Sequence, residues 1–348
     1  MGKVIRNARL QRGKRVQDIA AQLGIDSSLI VRFENGNRLP TKSQVIALAE
    51  VLELQASEIM VLWLSARIMK ELDGEPLAMQ ALMAAEQQVS YQINSSNQFQ
   101  GYEEKLSALN GLKKQLDGLR SKANYRIEEA LDVEYTFHSN RIEGNTLTLQ
   151  ETDLVINQGL TISGKSMREH LEAINHSDAV AFVKELVQEK RSITESIILQ
   201  IHNLVLRGID RENAGKYRSL QVRIGGSSHV PPDAWEVPMQ MEQLLEWYRK
   251  HEHIHPVLLA AEMHARLVAI HPFIDGNGRT SRLLMNLILL QHGYVIANIK
   301  GDTPDRLLYY QSLEHSRKDG DMEFNHFVLD TEMECLNNYI SILKGNNK

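Results

Sequence analysis

Apolar residues recur every three or four positions along almost the whole of this 348-residue chain, a spacing that admits helices and little else. Ile5 and Ala8 share one face; Val16, Ile19, Ala20 and Leu23 share another, which Gly24 ends. Asp26 is placed to cap a third helix bearing Leu29, Ile30 and Phe33, closed by Glu34-Asn35-Gly36. A fourth, over 43–52, sets Val45, Leu48, Ala49 and Leu52 against the same core. Leu109, Leu112, Leu116 and Leu119 form a packing seam, within the chain or between two copies. From Val133 onward the helical period resumes, clearest over 258–270 and 280–291. One stretch departs from it: Val222-Arg-Ile-Gly-Gly-Ser-Ser-His-Val-Pro-Pro alternates around Gly225-Gly226 and predicts a β-hairpin. The expected class is all-α with that single hairpin.

Charge divides the chain unevenly. Up to Leu48 there are nine basic residues and three acids, +6, which leaves −11 for the remainder of a chain whose net charge is −5. A basic head on an acidic body permits a DNA-binding head. The expected organisation is a head over 1–65, a helical connector over 66–130 interrupted by the polar stretch 94–98, and a body over 131–348. With 43% apolar and 24% charged residues, disorder is excluded. The lone Cys335 excludes a disulfide framework and suits a reducing compartment. No apolar run reaches the length of a membrane span and the polar N-terminus is no signal peptide, so the expected location is the cytoplasm. His251-Glu-His253-Ile-His255 has no partner cluster, and no metal is assigned to it.

The chemistry concentrates in His271-Pro-Phe-Ile-Asp-Gly-Asn-Gly-Arg-Thr-Ser-Arg282. A helix ending at Ile270 delivers His271 to a loop, and Thr280 is expected to open the next helix. Gly276, Asn277 and Gly278 let successive backbone N–H groups turn to one point ahead of that helix, a cradle for phosphate. Arg279 and Arg282 add fixed positive charge for further phosphate oxygens. Asp275 offers one hard oxygen, suited to a Mg²⁺ that takes its other ligands from water and phosphate. An unperturbed histidine has its pKa near neutrality, so His271 can serve as a general base. A triphosphate site with a base beside it is the reading of the residues alone.

This segment matches the Fic-family motif without departure, and the chain resembles that family over about 133–337, especially its animal endoplasmic-reticulum branch and bacterial relatives. Gly144-Asn-Thr-Leu-Thr-Leu, Gly215-Lys-Tyr-Arg218 and Leu283-Leu-Met-Asn286 belong to the same pattern. The resemblance implies AMP transfer from ATP, with Mg²⁺, to a Ser, Thr or Tyr hydroxyl of a protein target, His271 being the base. It implies that the hairpin is a flap pairing with the target's backbone, and that Tyr309 and Tyr310 line the nucleotide pocket. Ser139-Asn-Arg-Ile-Glu143-Gly144 resembles the family's inhibitory motif, on a helix near 135–144, in which Glu143 would pair with Arg282 and take the place of the γ-phosphate. The same glutamate can orient a water that removes AMP, so de-AMPylation stays open, as does a transcriptional regulator whose core only senses nucleotide. A homodimer is expected.

The head is similar to the Cro/repressor helix-turn-helix, on Gln17 to Phe33 and on Arg32-Phe-Glu-Asn-Gly-Asn-Arg38. That resemblance places Ser27, Ser28 and Arg32 at base edges in the major groove of DNA.

Overall fold

The computed structural model describes residues 1–79, 81–82, 101–318 and 323–345, and the polar stretch 94–98 lies outside them. The chain divides into two compact units, Met1–Asn97 and Gln98–Lys348.

In the first unit, α1 (Gly2–Gln11), α2 (Val16–Leu23), α3 (Ser27–Glu34), α4 (Lys42–Val51) and α5 (Ala56–Glu71) enclose one core. Ile5, Ile19, Ile30, Phe33, Val45, Leu48 and Trp63 meet there. Gly24, left-handed at φ 61°, ends α2, and the Asp26 side chain accepts from Ser28 N at 2.8 Å to start α3. Trp63 Nε1 donates to Pro40 O at 2.8 Å, so α5 closes the bundle. Two of the basic residues are structural: Arg9 pairs with both oxygens of the half-buried-to-buried Glu34, at 2.6 and 2.9 Å, and Lys14 Nζ donates to Val51 O at 2.9 Å.

The second unit begins, among the described residues, with α6 (Glu103–Asp117), which carries the leucine seam. Leu109 and Leu116 are buried, and α6 packs on α15 (Glu323–Lys344). Of the stretch expected as a connector, 66–130, the end of α5 falls in the first unit and α6 in the second. The rest of the body is α7 (Tyr125–Ile142), α8 (Leu149–Gln158), α9 (Met167–Gln188), α10 (Glu195–Leu206), α11 (Val237–His251), α12 (Pro256–Ile270), α13 (Asn277–Gln291) and α14 (Thr303–Lys318). Helix α13 is the centre: it is buried along nearly its whole length, with α7, α9, α10 and α12 around it. The phosphate motif sits at the N-terminus of this buried helix, where its backbone N–H groups are free of intrahelical partners.

Two expectations need correction. Helix α13 opens at Asn277, not Thr280, because Gly276 takes a left-handed conformation (φ 76°) and serves as its N-cap. Arg279 and Arg282, three apart, consequently share one face. The hairpin over 222–230 is a turn without strands: Ser227 N donates to Ile224 O at 3.2 Å around Gly226 (φ 77°), but no strand exists among the described residues. Pro231 and Pro232 have no N–H to give a ladder, and a lone two-stranded ladder is marginal in water. The polar groups of the turn go to the body instead. Ser228 N donates to Glu314 at 3.0 Å, and His229 Nε2 lies 2.8 Å from Ala269 O.

Candidate active site

Helix α12 ends in His271, whose N–H still reaches Leu267 O at 3.0 Å while its own backbone turns left-handed (φ 50°, ψ 58°). A non-glycine residue held there stores about 1–3 kcal/mol, so its surroundings must over-determine it. They do. Asn277 folds back on the loop, accepting from Phe273 N at 3.0 Å and donating to Phe273 O at 2.8 Å. Phe273 is fully buried and stacks on His202, ring centroids 3.6 Å apart and planes within 7°. Gly215 N donates to His202 Nδ1 at 3.0 Å, so the ring proton is on Nε2, 3.0 Å from Asp275 O. Burial holds this imidazole down to about 4, and it stands as a neutral bracket under the loop. Glycine suits 276 because of its φ of 76°, which L side chains rarely adopt; an added Cβ would meet His202 and Val205 only at ordinary contact distance, 3.4 Å.

Beyond Gly276 the N–H groups of Asn277, Gly278 and Arg279 precede the first intrahelical bond, Thr280 N to Gly276 O, and so point out of the helix end. The positive end of the helix dipole adds to them. Arg279 is 2% exposed, and its Nε and Nη1 have no hydrogen-bond acceptor among the described residues. Nη1 still lies 3.4 Å from the Glu172 carboxylate, so the edge is ion-paired but not hydrogen-bonded, and a buried guanidinium with hydrogen bonds to spare beside a helix N-terminus fits phosphate oxygens. Asp275 accepts from Gly276 N at 2.6 Å, pairs with Arg168 at 2.6 Å and lies 3.4 Å from Arg279. Burial opposes its ionisation, but the two arginines and the backbone N–H outweigh it and hold the carboxyl below its ordinary value. As a single hard oxygen it fits Mg²⁺ only as the one protein ligand of an ion carried by phosphates; no group of three His, Cys, Asp or Glu able to hold a metal exists among the described residues. A cavity of about 350 Å³ opens here, lined by Glu143, Gly144, Arg168, Glu172, Asp275 and Arg279. A cavity of about 380 Å³, past Asp132, Lys184 and Cys335, shares none of these residues.

Glu143 closes the site from above. It is the C-cap of α7, followed by Gly144 at φ 99°. Its Oε1 lies 2.7 Å from Arg282 Nη2, while Arg282, 1% exposed, also holds Ser139 Oγ at 3.0 Å and Ser139 O at 2.9 Å. Burial works against the Arg282 charge; the Glu143 carboxylate, together with Tyr309 and Tyr135, outweighs it, and the guanidinium sits above its usual value. The same carboxylate lies so close to Gly278 that a Cβ there would collide with it. An anionic group thus already covers the first turn of α13.

Residues 192–289 match the Fic/DOC family, and residues 1–61 match a helix-turn-helix domain. The chain carries a Fic domain. The protein adenylyltransferase Fic of Nematostella vectensis is 38% identical over 218 residues, 62% of this chain and 50% of that protein; that of Drosophila persimilis is 34% identical over 252 residues, 72% and 48%. The chain therefore spans about half the length of the curated relatives it matches. Among solved structures, a Fic-domain signalling protein of Bacteroides thetaiotaomicron is 27% identical with TM-score 0.63, covering 68% of this chain and 98% of that one. A structure of Fic-1 from C. elegans is 25% identical with TM-score 0.62, covering 99% and 100%.

Within the Fic core, the two tyrosines expected in the pocket part company. Tyr309 is buried, with its hydroxyl 3.0 Å from His264 Nε2 and 3.4 Å from Arg282 Nη1, so it backs the arginine. Tyr310 is 41% exposed and donates to Ile142 O at 3.2 Å, at the end of α7 beside Glu143. Adjacent helix positions cannot face one way. The side chain of Asn277 is spent on Phe273, which leaves its backbone N–H for an anion. Sequence reasoning missed His202, Arg168 and Glu172. Glu172 lies 3.4 Å from Arg279 and 3.1 Å from Arg168, and it accepts from Asn145 at 3.0 Å. In the helix-turn-helix unit, Ser28 and Arg32 are exposed one turn apart on α3, and Ser27 is half-buried.

Proposed function

We propose that this chain transfers AMP from ATP to a Ser, Thr or Tyr hydroxyl of a protein, and that Glu143 restrains the transfer. The observation that carries the proposal is an intact His271 fixed beside an anion cradle that has an under-partnered buried arginine. The Gly276–Arg279 backbone and Arg279 would hold the phosphates, and Asp275 would hold Mg²⁺, which neutralises the charge that develops on pyrophosphate. His271 Nδ1 lies 3.4 Å from Val268 O. A proton on Nδ1 in that contact leaves Nε2 to take the hydroxyl proton. The hydroxyl oxygen bonds to the α-phosphorus, the bond from that phosphorus to the bridging oxygen breaks, and pyrophosphate leaves. Catalysis is then chiefly positioning plus charge stabilisation. Names of the relatives support the assignment, since they are protein adenylyltransferases. Tyr310, half-exposed beside the end of α7, is the better placed of the two tyrosines to meet the nucleotide.

The head supports a second, linked role: the exposed Ser28 and Arg32 of α3 read DNA in the major groove. The deciding experiment for the enzyme incubates the Glu143→Gly form with α-labelled ATP and host lysate and locates the label by mass spectrometry. AMP on protein hydroxyls supports transfer; label lost faster from modified protein when Glu143 is present supports removal; no labelled product at all leaves a nucleotide-sensing regulator.

A further inference from the structure

Arg218 is 3% exposed, and its side-chain donors reach no carboxylate within hydrogen-bond distance among the described residues. All its charge is given to neutral acceptors, most of them backbone carbonyls. Nε donates to His271 O at 2.8 Å, Nη1 to Leu220 O at 3.1 Å, and Nη2 to Pro232 O at 2.6 Å; its backbone N donates to Pro272 O at 2.9 Å. Two of these carbonyls belong to the left-handed turn that aims the base. The other two flank the 222–230 segment on either side. Gln221, 3.5 Å from Nη1, donates to Pro231 O at 3.2 Å and draws the same two feet together.

Burial outweighs the Asp233 carboxylate, which acts on this charge without a hydrogen bond, and holds the guanidinium below its usual value; a fold that needed only a tie between two loops would meet the need with an amide or a hydroxyl. What a planar fork does that those groups cannot is hold three acceptors at fixed angles in one plane. We propose that Arg218 is a positioning residue that makes the flap and the catalytic loop one rigid piece, so that a target backbone docked on 222–230 arrives in register with the His271 imidazole. The inference rests on the adenylyl-transfer reading for its purpose, but the mechanical coupling is measurable without it. Since the segment forms no strand of its own, its register against the base comes from its feet and from the Glu314 and His229 contacts of its tip. The feet are the part that touches the loop.

The test compares wild type with Arg218→Lys and Arg218→Ala by hydrogen exchange, without nucleotide. Peptides covering 219–232 and peptides covering 271–276 should both exchange at least tenfold faster in the variants, while α9 and α11 keep their protection. Faster exchange in 219–232 alone, or general loss of protection across the body, overturns the coupling. In the Glu143→Gly background, either substitution should lower AMP self-labelling at saturating ATP tenfold or more with ATP affinity within twofold. Added guanidinium, and not methylammonium, should restore part of it to Arg218→Ala. Labelling that falls together with ATP affinity, with no response to guanidinium, reduces Arg218 to a fold residue. If the Glu143→Gly parent carries no label, the transfer reading fails, and the exchange result still decides the coupling.

Discussion

The carboxylate of Glu143 and the guanidinium of Arg282, 139 residues apart in sequence, meet at 2.7 Å over the first turn of α13. Arg282 is fully enclosed: Nε and Nη2 are held by Ser139 and Nη1 lies 3.4 Å from the Tyr309 hydroxyl, so Glu143 is the one anion that meets this guanidinium among the described residues. An acidic side chain, an arginine and a helix N-terminus together reproduce the contacts of a phosphate.

Removing that carboxylate should raise activity. Glu143→Gly is expected to increase AMP transfer, self-modification included, by about tenfold or more, which needs only about 1.4 kcal/mol of relief. Arg282→Ala should not copy it, since the phosphate loses its partner as well, and the double variant should be as inactive as Arg282→Ala. Equal rates for wild type and Glu143→Gly with ATP and Mg²⁺ would refute the inhibitory role.

The base and the cradle are separable. His271→Ala should cut transfer by about 10²- to 10⁴-fold while ATP binds as before, because phosphate is held by the α13 backbone and Arg279. Isothermal titration with ATP alongside a labelled-ATP assay distinguishes the two. A variant that keeps a tenth of the rate would assign the proton to another group.

Much of this site was legible because its chemistry is local. The His271–Arg282 run places base, cradle and arginines within a dozen residues, and the Ser139–Glu143 motif names its partner by resemblance. Legibility ended where tertiary structure chose among equivalents. Tyr309 and Tyr310 read alike in sequence, yet one hydroxyl goes to His264 and the other to the end of α7. Gly276-Asn277-Gly278 reads as loop; a left-handed Gly276 and the Asn277 clamp on Phe273 let the helix start inside it. His202 carried no spacing signal at all, and Arg218 stood in the Gly215–Arg218 pattern without a role, because what they hold is backbone carbonyl and amide, which sequence does not display.

DNA binding by the head is testable on the whole chain. Arg32→Ala should weaken binding to the protein's own promoter by about 1–3 kcal/mol if Arg32 reads a base, and change non-specific binding little. Fluorescence anisotropy at several salt concentrations measures both. Binding that is undetectable, or insensitive to salt, would point to a head that pairs proteins.

The loop's dependence on a neutral His202 gives the last prediction, a pH effect with a definite sign. The imidazole donates from Nε2 to Asp275 O and accepts at Nδ1 from Gly215 N, so a second proton would destroy the latter bond and charge a buried ring. Burial lowers it to about 4 in the folded chain, while an unfolded histidine titrates at about 6.5. Between those values the unfolded state binds the proton and the folded state does not, so stability rises with pH across this window and is lost as pH falls through it. Going from pH 7 to pH 5, His202 alone should cost about 2 kcal/mol. The difference in unfolding free energy between those two pH values, taken from urea titrations followed by circular dichroism, should therefore shrink by about that amount in His202→Asn, although the variant is the less stable protein at pH 7. An unchanged difference would mean that His202 takes up its proton alike in the folded and the unfolded chain, and the neutral bracket under Asp275 would have to be abandoned.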